Sequence, residues 1–312
     1  MKKKIIGILD REEGYAARLM EVFNSRNRMG FQAEMFTGVN SFLEYSRKNP
    51  VEILLVGESL MERTLEALAA MVIVISEGAK AAELEQYRIV YKYQSSEMII
   101  RRVMEFYALE GKSPNQLYKG NVKLYGVYAP QGRGCNSCFA WNLAKQLGRD
   151  QSVLYISLTA FSDKKELYVP EKELADIMYY VRHGFDNLIY MVGSVVIGLE
   201  GIDCMPPVKS VEDLIHVPCE DWLKILQVIS TQSNYDAAVV EVGECVQQFY
   251  RVLDYCTEIY MPFVPKFKNM AIWEVCKEYF KRMGAEDVWN RAKRLEVDGN
   301  YWRSDMNSII SS

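Results

Sequence analysis

Histidine is nearly absent: His183 and His216 are the two in 312 residues. With a single C-x-x-C pair, Cys135 and Cys138, so few histidines are a poor basis for a zinc site. No apolar run is long enough to cross a bilayer. The most apolar stretch, "LIYMVGSVVIGL" at 188–199, carries two glycines and is about half the required length. Positive charge is not in excess: 37 Lys and Arg stand against 41 Asp and Glu. That removes the electrostatic reason to expect nucleic acid as a partner. Basic residues cluster in "MKKK" alone, and the "IIGIL" after it is too short an apolar core for a signal peptide. Heptads, short repeats and low-complexity tracts are missing. Seven cysteines, an odd number scattered along the chain, fit reduced thiols better than a disulfide framework. A cytoplasmic protein with no transmembrane segment is expected.

What is present is alternation of strand and helix, at a length sufficient for two domains. "KKIIGILD", "FQAEMF", "VEILLVG", "MVIVIS" and "IVYKY" read as strands. "REEGYAARLMEVFNSR", "VNSFLEYSRK", "AAELEQY" and "SSEMIIRRVMEFYAL" have apolar residues at helical spacing. This alternation predicts a doubly wound parallel sheet over 1–109. "EGKSPNQLYKG" (110–120) is polar, holds Pro and two glycines, and reads as a linker. The pattern resumes over 121–290. Strands are expected at "KLYGVYA", "SVLYISL", "GIDCMPP", "YDAAVVEVG" and "EIYMPF". Helices are expected at "KELADIMYYVRHG", "CEDWLKILQVISTQS" and "MAIWEVCKEYFKRMG", with an irregular segment before "GIDCMPP" and a C-terminal tail over 291–312. The fold class is α/β, with two doubly wound domains whose ligands belong at the C-terminal ends of the strands.

Over about residues 1–108 the order of elements resembles a response-regulator receiver, a flavodoxin-like domain. The resemblance puts Asp10 at the acid after the first strand, Ser76 at the hydroxyl after the fourth and Lys92 at the lysine after the fifth. At the phosphoryl acceptor it puts Gly57. Glu58 follows one residue on, so its side chain is expected to point to the other face of the strand. A pseudo-receiver that packs or dimerises is expected, with a Glu58 phosphosite or a small-molecule site as the alternatives.

In the second half "PQGRGCNSCFAWNLA" (130–144) follows a strand and opens a helix. A phosphate-binding loop wraps phosphates with backbone N–H groups, sets a lysine on the β/γ-phosphates and a Ser or Thr hydroxyl on Mg²⁺. The stretch resembles the deviant Walker A motif of the MinD/ParA ATPases, Pro-Lys-Gly-Gly-x-Gly-Lys-Thr, aligned without a gap. Pro130, Gly132, Ser137, Ala140, Asn142, Leu143 and Ala144 fit. Gln131 and Asn136 replace the two lysines, and Arg133 and Cys135 replace two glycines. Downstream, "YISLTAF" offers Ser157 and Thr159 where the family has acids. "YDAAVVEVGE" gives Tyr235 and Asp236, with Glu241 at the Walker B acid and Gly243 in the following turn. The resemblance thus implies a site of Gln131, Gly132, Arg133, Gly134, Cys135, Asn136, Ser137, Cys138, Glu241 and Gly243. A lost charge-assisted bond to phosphate costs about 1.5–3 kcal/mol. Two lost lysines weaken ATP binding by about two to four orders of magnitude.

A receiver-like domain without its acceptor, fused to a MinD/ParA-like domain, resembles the TadZ/CpaE proteins of Tad pilus assembly. "VLYISLTAFSD", "LADIMYYV", "GIDCMPP", "EDW" and "CTEIYMPF" carry the likeness further. It implies a non-catalytic localisation protein, homodimeric, recruited from the cytoplasm to a membrane-associated pilus or secretion machine through protein partners. Two other readings stay open. One is a switch that binds ATP and Mg²⁺ weakly without efficient hydrolysis. The other is a redox regulator, since Cys135 and Cys138 stand at a helix N-terminus whose dipole lowers thiol pKa values. The tail, with Tyr301 and Trp302 as interfacial anchors for a peripheral membrane contact, lacks a basic amphipathic face.

Overall fold

The computed structural model describes residues 4–25, 28, 30–78, 84, 86–110, 121–162, 164–168, 173–264 and 270–297. They group into two compact units divided after Tyr118, with Ile189–Ser194 grouped with the first.

The first unit has strands β1 (Lys4–Leu9), β2 (Phe31–Phe36), β3 (Val51–Gly57), β4 (Ala69–Ser76) and β5 (Arg88–Tyr91). Its helices are α1 (Glu13–Ser25), α2 (Val39–Ser46) and α3 (Ser96–Leu109). The strands make a five-stranded sheet in the order β2-β1-β3-β4-β5, with every pairing parallel. This is the flavodoxin-like doubly wound order. Ile53–Val56 and Ile73–Ile75 are buried on both faces, which is why β3 and β4 read as unbroken apolar runs. Helix α3 starts at Ser95, whose hydroxyl accepts the Met98 N–H at 3.2 Å. It buries Ile99, Val103, Met104 and Tyr107 on one face. Between β3 and β4 the chain makes 3-10 turns at Glu58–Leu60 and Arg63–Leu68. Most of the helix expected over 81–87 lies outside the described residues.

The second half contributes β6 (Lys123–Val127), α4 (Arg133–Leu147), β7 (Val153–Leu158), α5 (Leu174–Arg182), α6 (Leu188–Val195), β8 (Ile197–Leu199), β9 (Ile202–Met205) and α7 (Val211–Ile215). There follow α8 (Cys219–Gln232), β10 (Ala237–Val242), α9 (Phe249–Tyr255), β11 (Glu258–Phe263), α10 (Met270–Arg282), α11 (Glu286–Arg291) and β12 (Lys293–Glu296). The sheet order is β12-β11-β6-β10-β7-β9-β8, parallel except where β8 runs antiparallel to β9. Helix α4 buries Phe139, Ala140, Leu143, Ala144 and Leu147 in the core that Tyr125, Val127, Tyr155 and Val239 form. Each large apolar side chain so buried contributes about 1.5–3 kcal/mol.

Two expectations change here. The segment read as irregular before "GIDCMPP" holds α6 and β8. Tyr190 of α6 packs its ring 4.8 Å from that of Tyr107 and 5.7 Å from that of Phe31, within the first unit. Lys293–Glu296, read as the start of a tail, forms β12 beside β11, while 298–312 lie outside the described residues. Of the expected linker, Glu110 alone is described, as the C-cap of α3.

Candidate functional site

The loop between β6 and α4 sits at the C-terminal end of β6, with β10 on one side and β11 on the other. Its turn closes through the Gly132 N–H on the Ala129 carbonyl at 3.1 Å. Gly132 holds φ +116°, where a side chain would be strained, and precedes α4 without any side-chain cap on the helix. The first-turn N–H groups of α4 therefore remain an attraction for an anion. Arg133 opens α4; its side chain lies outside the described residues. Gly134 is exposed.

Both residues that replace lysines are engaged by the fold. The Gln131 side-chain oxygen accepts the Val264 N–H at 2.9 Å. Asn136 is 4% exposed, and its Nδ2 donates to the Val242 carbonyl at 3.1 Å. Its Oδ1 is buried without a hydrogen-bond partner. Turned over, the amide would set Oδ1 against that carbonyl, so the network fixes the orientation. Its chemistry is wrong for a phosphate: one amide N–H is engaged by the backbone, and the buried oxygen is an acceptor that a phosphate oxygen does not pair with. The residues present do not fit a tightly held nucleotide.

Glu241 is the centre of the site. It is the last residue but one of β10, opposite Ser157 of β7, and is 1% exposed. Its Oε2 accepts from the Tyr155 hydroxyl at 2.5 Å and the Ser157 hydroxyl at 2.9 Å. Its Oε1 accepts from the Ser137 hydroxyl. Ser157 also pairs with Thr159 at 2.9 Å. Burial, then the Glu241 charge, holds the Tyr155 hydroxyl well above its ordinary pKa, so it stays a donor. The carboxylate is thus enclosed by protein hydroxyls. Gly243 is required by close approach: a Cβ there would lie 2.9 Å from the Leu158 carbonyl oxygen. Asp236 is structural, accepting from the Ser152 N–H at 2.8 Å and the Ser152 hydroxyl at 2.7 Å. Sequence reasoning missed Tyr155. The available signal was its spacing of two from Ser157, which puts both side chains on one face of β7.

Cys135 and Cys138 are both buried. The expected lowering by the helix dipole does not win at Cys135. Burial, then the neighbouring Cys138, pushes its thiol up to about 12. Against the ordinary value of 9.0 this leaves about a thousandfold less thiolate. Iodoacetamide is therefore expected to alkylate Cys135 in the folded protein at least about a hundredfold more slowly than in denaturant, as peptide mass spectrometry would record. Comparable rates in the two conditions would show an accessible thiolate. Among the described residues no group of three or more His, Cys, Asp or Glu could hold a metal ion.

The receiver-like residues of the first unit do converge. Lys92, whose side chain is 3% exposed, lies 3.2 Å from Asp10 Oδ2 and donates at 2.9 Å to each of Glu12 and Glu77. Burial pulls the Lys92 pKa down, but the bonds to Glu12, Glu77 and Asp10 outweigh it and raise the value. Gly57 faces Asp10: a Cβ there would lie 3.0 Å from Asp10 Oδ2. Glu58 overturns its expected direction. The strand ends at Gly57 and the chain turns into the 3-10 segment. The carboxylate therefore swings round to accept from the Ser76 hydroxyl at 2.7 Å.

No protein-family model matches the chain, and no curated protein matches it. Among solved structures it is similar to a ParA family ATPase from Chlorobium tepidum TLS. The identity is 19%, over 57% of this chain and 86% of that one, with a TM-score of 0.41. That likeness is too slight to carry any residue's role across. Among the described residues no helix is long and apolar enough to cross a membrane.

Proposed function

We propose that this chain is a non-catalytic localisation or scaffold protein of the TadZ/CpaE kind, a pseudo-receiver joined to a pseudo-ATPase of MinD/ParA type. It works as a homodimer that protein partners recruit to a pilus or secretion machine. The observation that supports this most is Asn136. At the position where phosphoryl-transfer loops carry their lysine, a buried amide is tied to the backbone of β10. Glu241, where a metal or an attacking water would be positioned, is enclosed by Tyr155, Ser157 and Ser137. Phosphoryl transfer depends on positioning and charge stabilisation, and this loop supplies little of either.

A second reading, a nucleotide-binding switch without turnover, draws on the contact between Ser137 and Glu241 and on the uncapped N-terminus of α4. Calorimetry with MgATP and MgADP separates the two. The scaffold reading expects no saturable heat at nucleotide concentrations up to about millimolar, the range set by loss of two charge-assisted bonds. Saturable, Mg²⁺-dependent binding within that concentration range would favour the switch.

A further inference from the structure

Three elements of the first unit end around one turn. Ser76 closes β4, and its hydroxyl donates to Glu58 Oε2 at 2.7 Å. The Glu77 N–H donates to the same oxygen at 3.0 Å. The Ser76 hydroxyl also accepts the Gly78 N–H at 3.0 Å, and Gly78 holds φ +93°, a conformation that glycine adopts without strain. From the other side Lys92 binds Glu77 Oε1 at 2.9 Å. The Lys92 N–H donates to the Ser76 carbonyl at 2.8 Å. A carboxylate from the end of β3 and an ammonium from beyond β5 thus hold the turn from two directions.

A hydroxyl and a backbone N–H aimed at one oxygen are what an anion site in a turn consists of. Glu58 reaches this one because the strand stops at Gly57; had β3 continued, the carboxylate would face away. We infer that the turn Ser76–Gly78 is an anion-binding site whose resident ligand is the protein's own Glu58. The first unit is therefore fixed in a ligand-bound arrangement and needs neither a phosphoryl group nor an added anion. With Glu58 removed, the site takes a small carboxylate anion of the same charge and shape. This inference stands apart from the scaffold reading, which rests on the loop of the second unit.

The test is amide hydrogen exchange at Glu77 and Gly78 in the full chain, with and without formate. Glu58→Ala is expected to exchange at least about tenfold faster there than wild type, because charge-assisted bonds to the turn are lost. Formate is expected to restore much of the protection in the variant, with chloride at equal ionic strength as the control. Wild type is expected to ignore both. Unchanged exchange in Glu58→Ala, or chloride acting as well as formate, would overturn the inference. Should that variant fail to fold, Ser76→Ala serves instead, since it keeps the resident carboxylate. It is expected to exchange several-fold faster at Gly78, whose bond to the hydroxyl is gone, and to be insensitive to formate. Wild-type exchange in Ser76→Ala would sink the idea.

Discussion

Glu241→Ala lowers the stability of the second unit by about 3–5 kcal/mol, measured by tryptophan emission in urea. The probe is selective because all five tryptophans, at 141, 222, 273, 289 and 302, lie in the second half of the chain. The carboxylate is 1% exposed and accepts three hydroxyl bonds, from Tyr155, Ser157 and Ser137. Each buried donor left without an acceptor costs about 1–3 kcal/mol. The loss is less than their sum for two reasons. Ser157 keeps Thr159 at 2.9 Å, and Ser137 is only partly buried, so water reaches it. Removing a buried charge also relieves a desolvation cost. Tyr155 is 2% exposed, so water does not reach its hydroxyl. Tyr155→Phe alone therefore costs about 1 kcal/mol, but in the Glu241→Ala background it recovers about that much by deleting the orphaned hydroxyl. Glu241→Gln keeps an acceptor oxygen and loses about 1–2 kcal/mol. A Glu241→Ala variant as stable as wild type would mean that the hydroxyls find other acceptors and the enclosure is incidental.

Much of this arrangement is legible in the sequence, and the exceptions share a physical cause. Strands buried on both faces, such as "VLYISL" and "AAVVEV", show as apolar runs because parallel sheets cover both sides. The segment "LIYMVGSV" fails as a helix signal for the same reason: Leu188–Val192 and Val195 are all buried, so no polar face marks a period. The absence of two lysines can be read directly. What Asn136 does instead cannot, because its partner, the Val242 carbonyl, is 106 positions away. The direction of Glu58 depends on where β3 stops, and strand boundaries are the weakest part of any pattern reading. At Cys135 two influences compete, a helix dipole that favours thiolate and burial that opposes it. Burial depends on tertiary packing, which the C-x-x-C spacing does not encode.

Gly57→Asp, which places a carboxyl at the end of β3, is expected to destabilise the first unit by about 2–4 kcal/mol and to gain no phosphorylation from acetyl phosphate. A Cβ at this position would lie 3.0 Å from Asp10 Oδ2 and 3.4 Å from its Cγ, so the side chain of Asp10 occupies the space an acceptor needs. The cost has a steric part, which Gly57→Ala shares, and an electrostatic part, which it lacks. Lys92 cannot offset the added charge, since its ammonium already binds Asp10, Glu12 and Glu77. Two carboxylates so close cannot both ionise freely, so the introduced carboxyl holds a proton to higher pH than it does in the unfolded chain. A group whose folded-state value is raised contributes stability below its unfolded value and loses it as pH rises. The deficit of Gly57→Asp against wild type therefore narrows between about pH 7 and pH 5, whereas that of Gly57→Ala stays constant. The first 118 residues contain no tryptophan, so the loss appears as a far-ultraviolet dichroism transition that departs from tryptophan emission. Asp10→Ala in the same chain frees the space and recovers part of the stability. Labelling of Gly57→Asp by acetyl phosphate with Asp10 intact would show that the pocket opens, and that Asp10 does not close it.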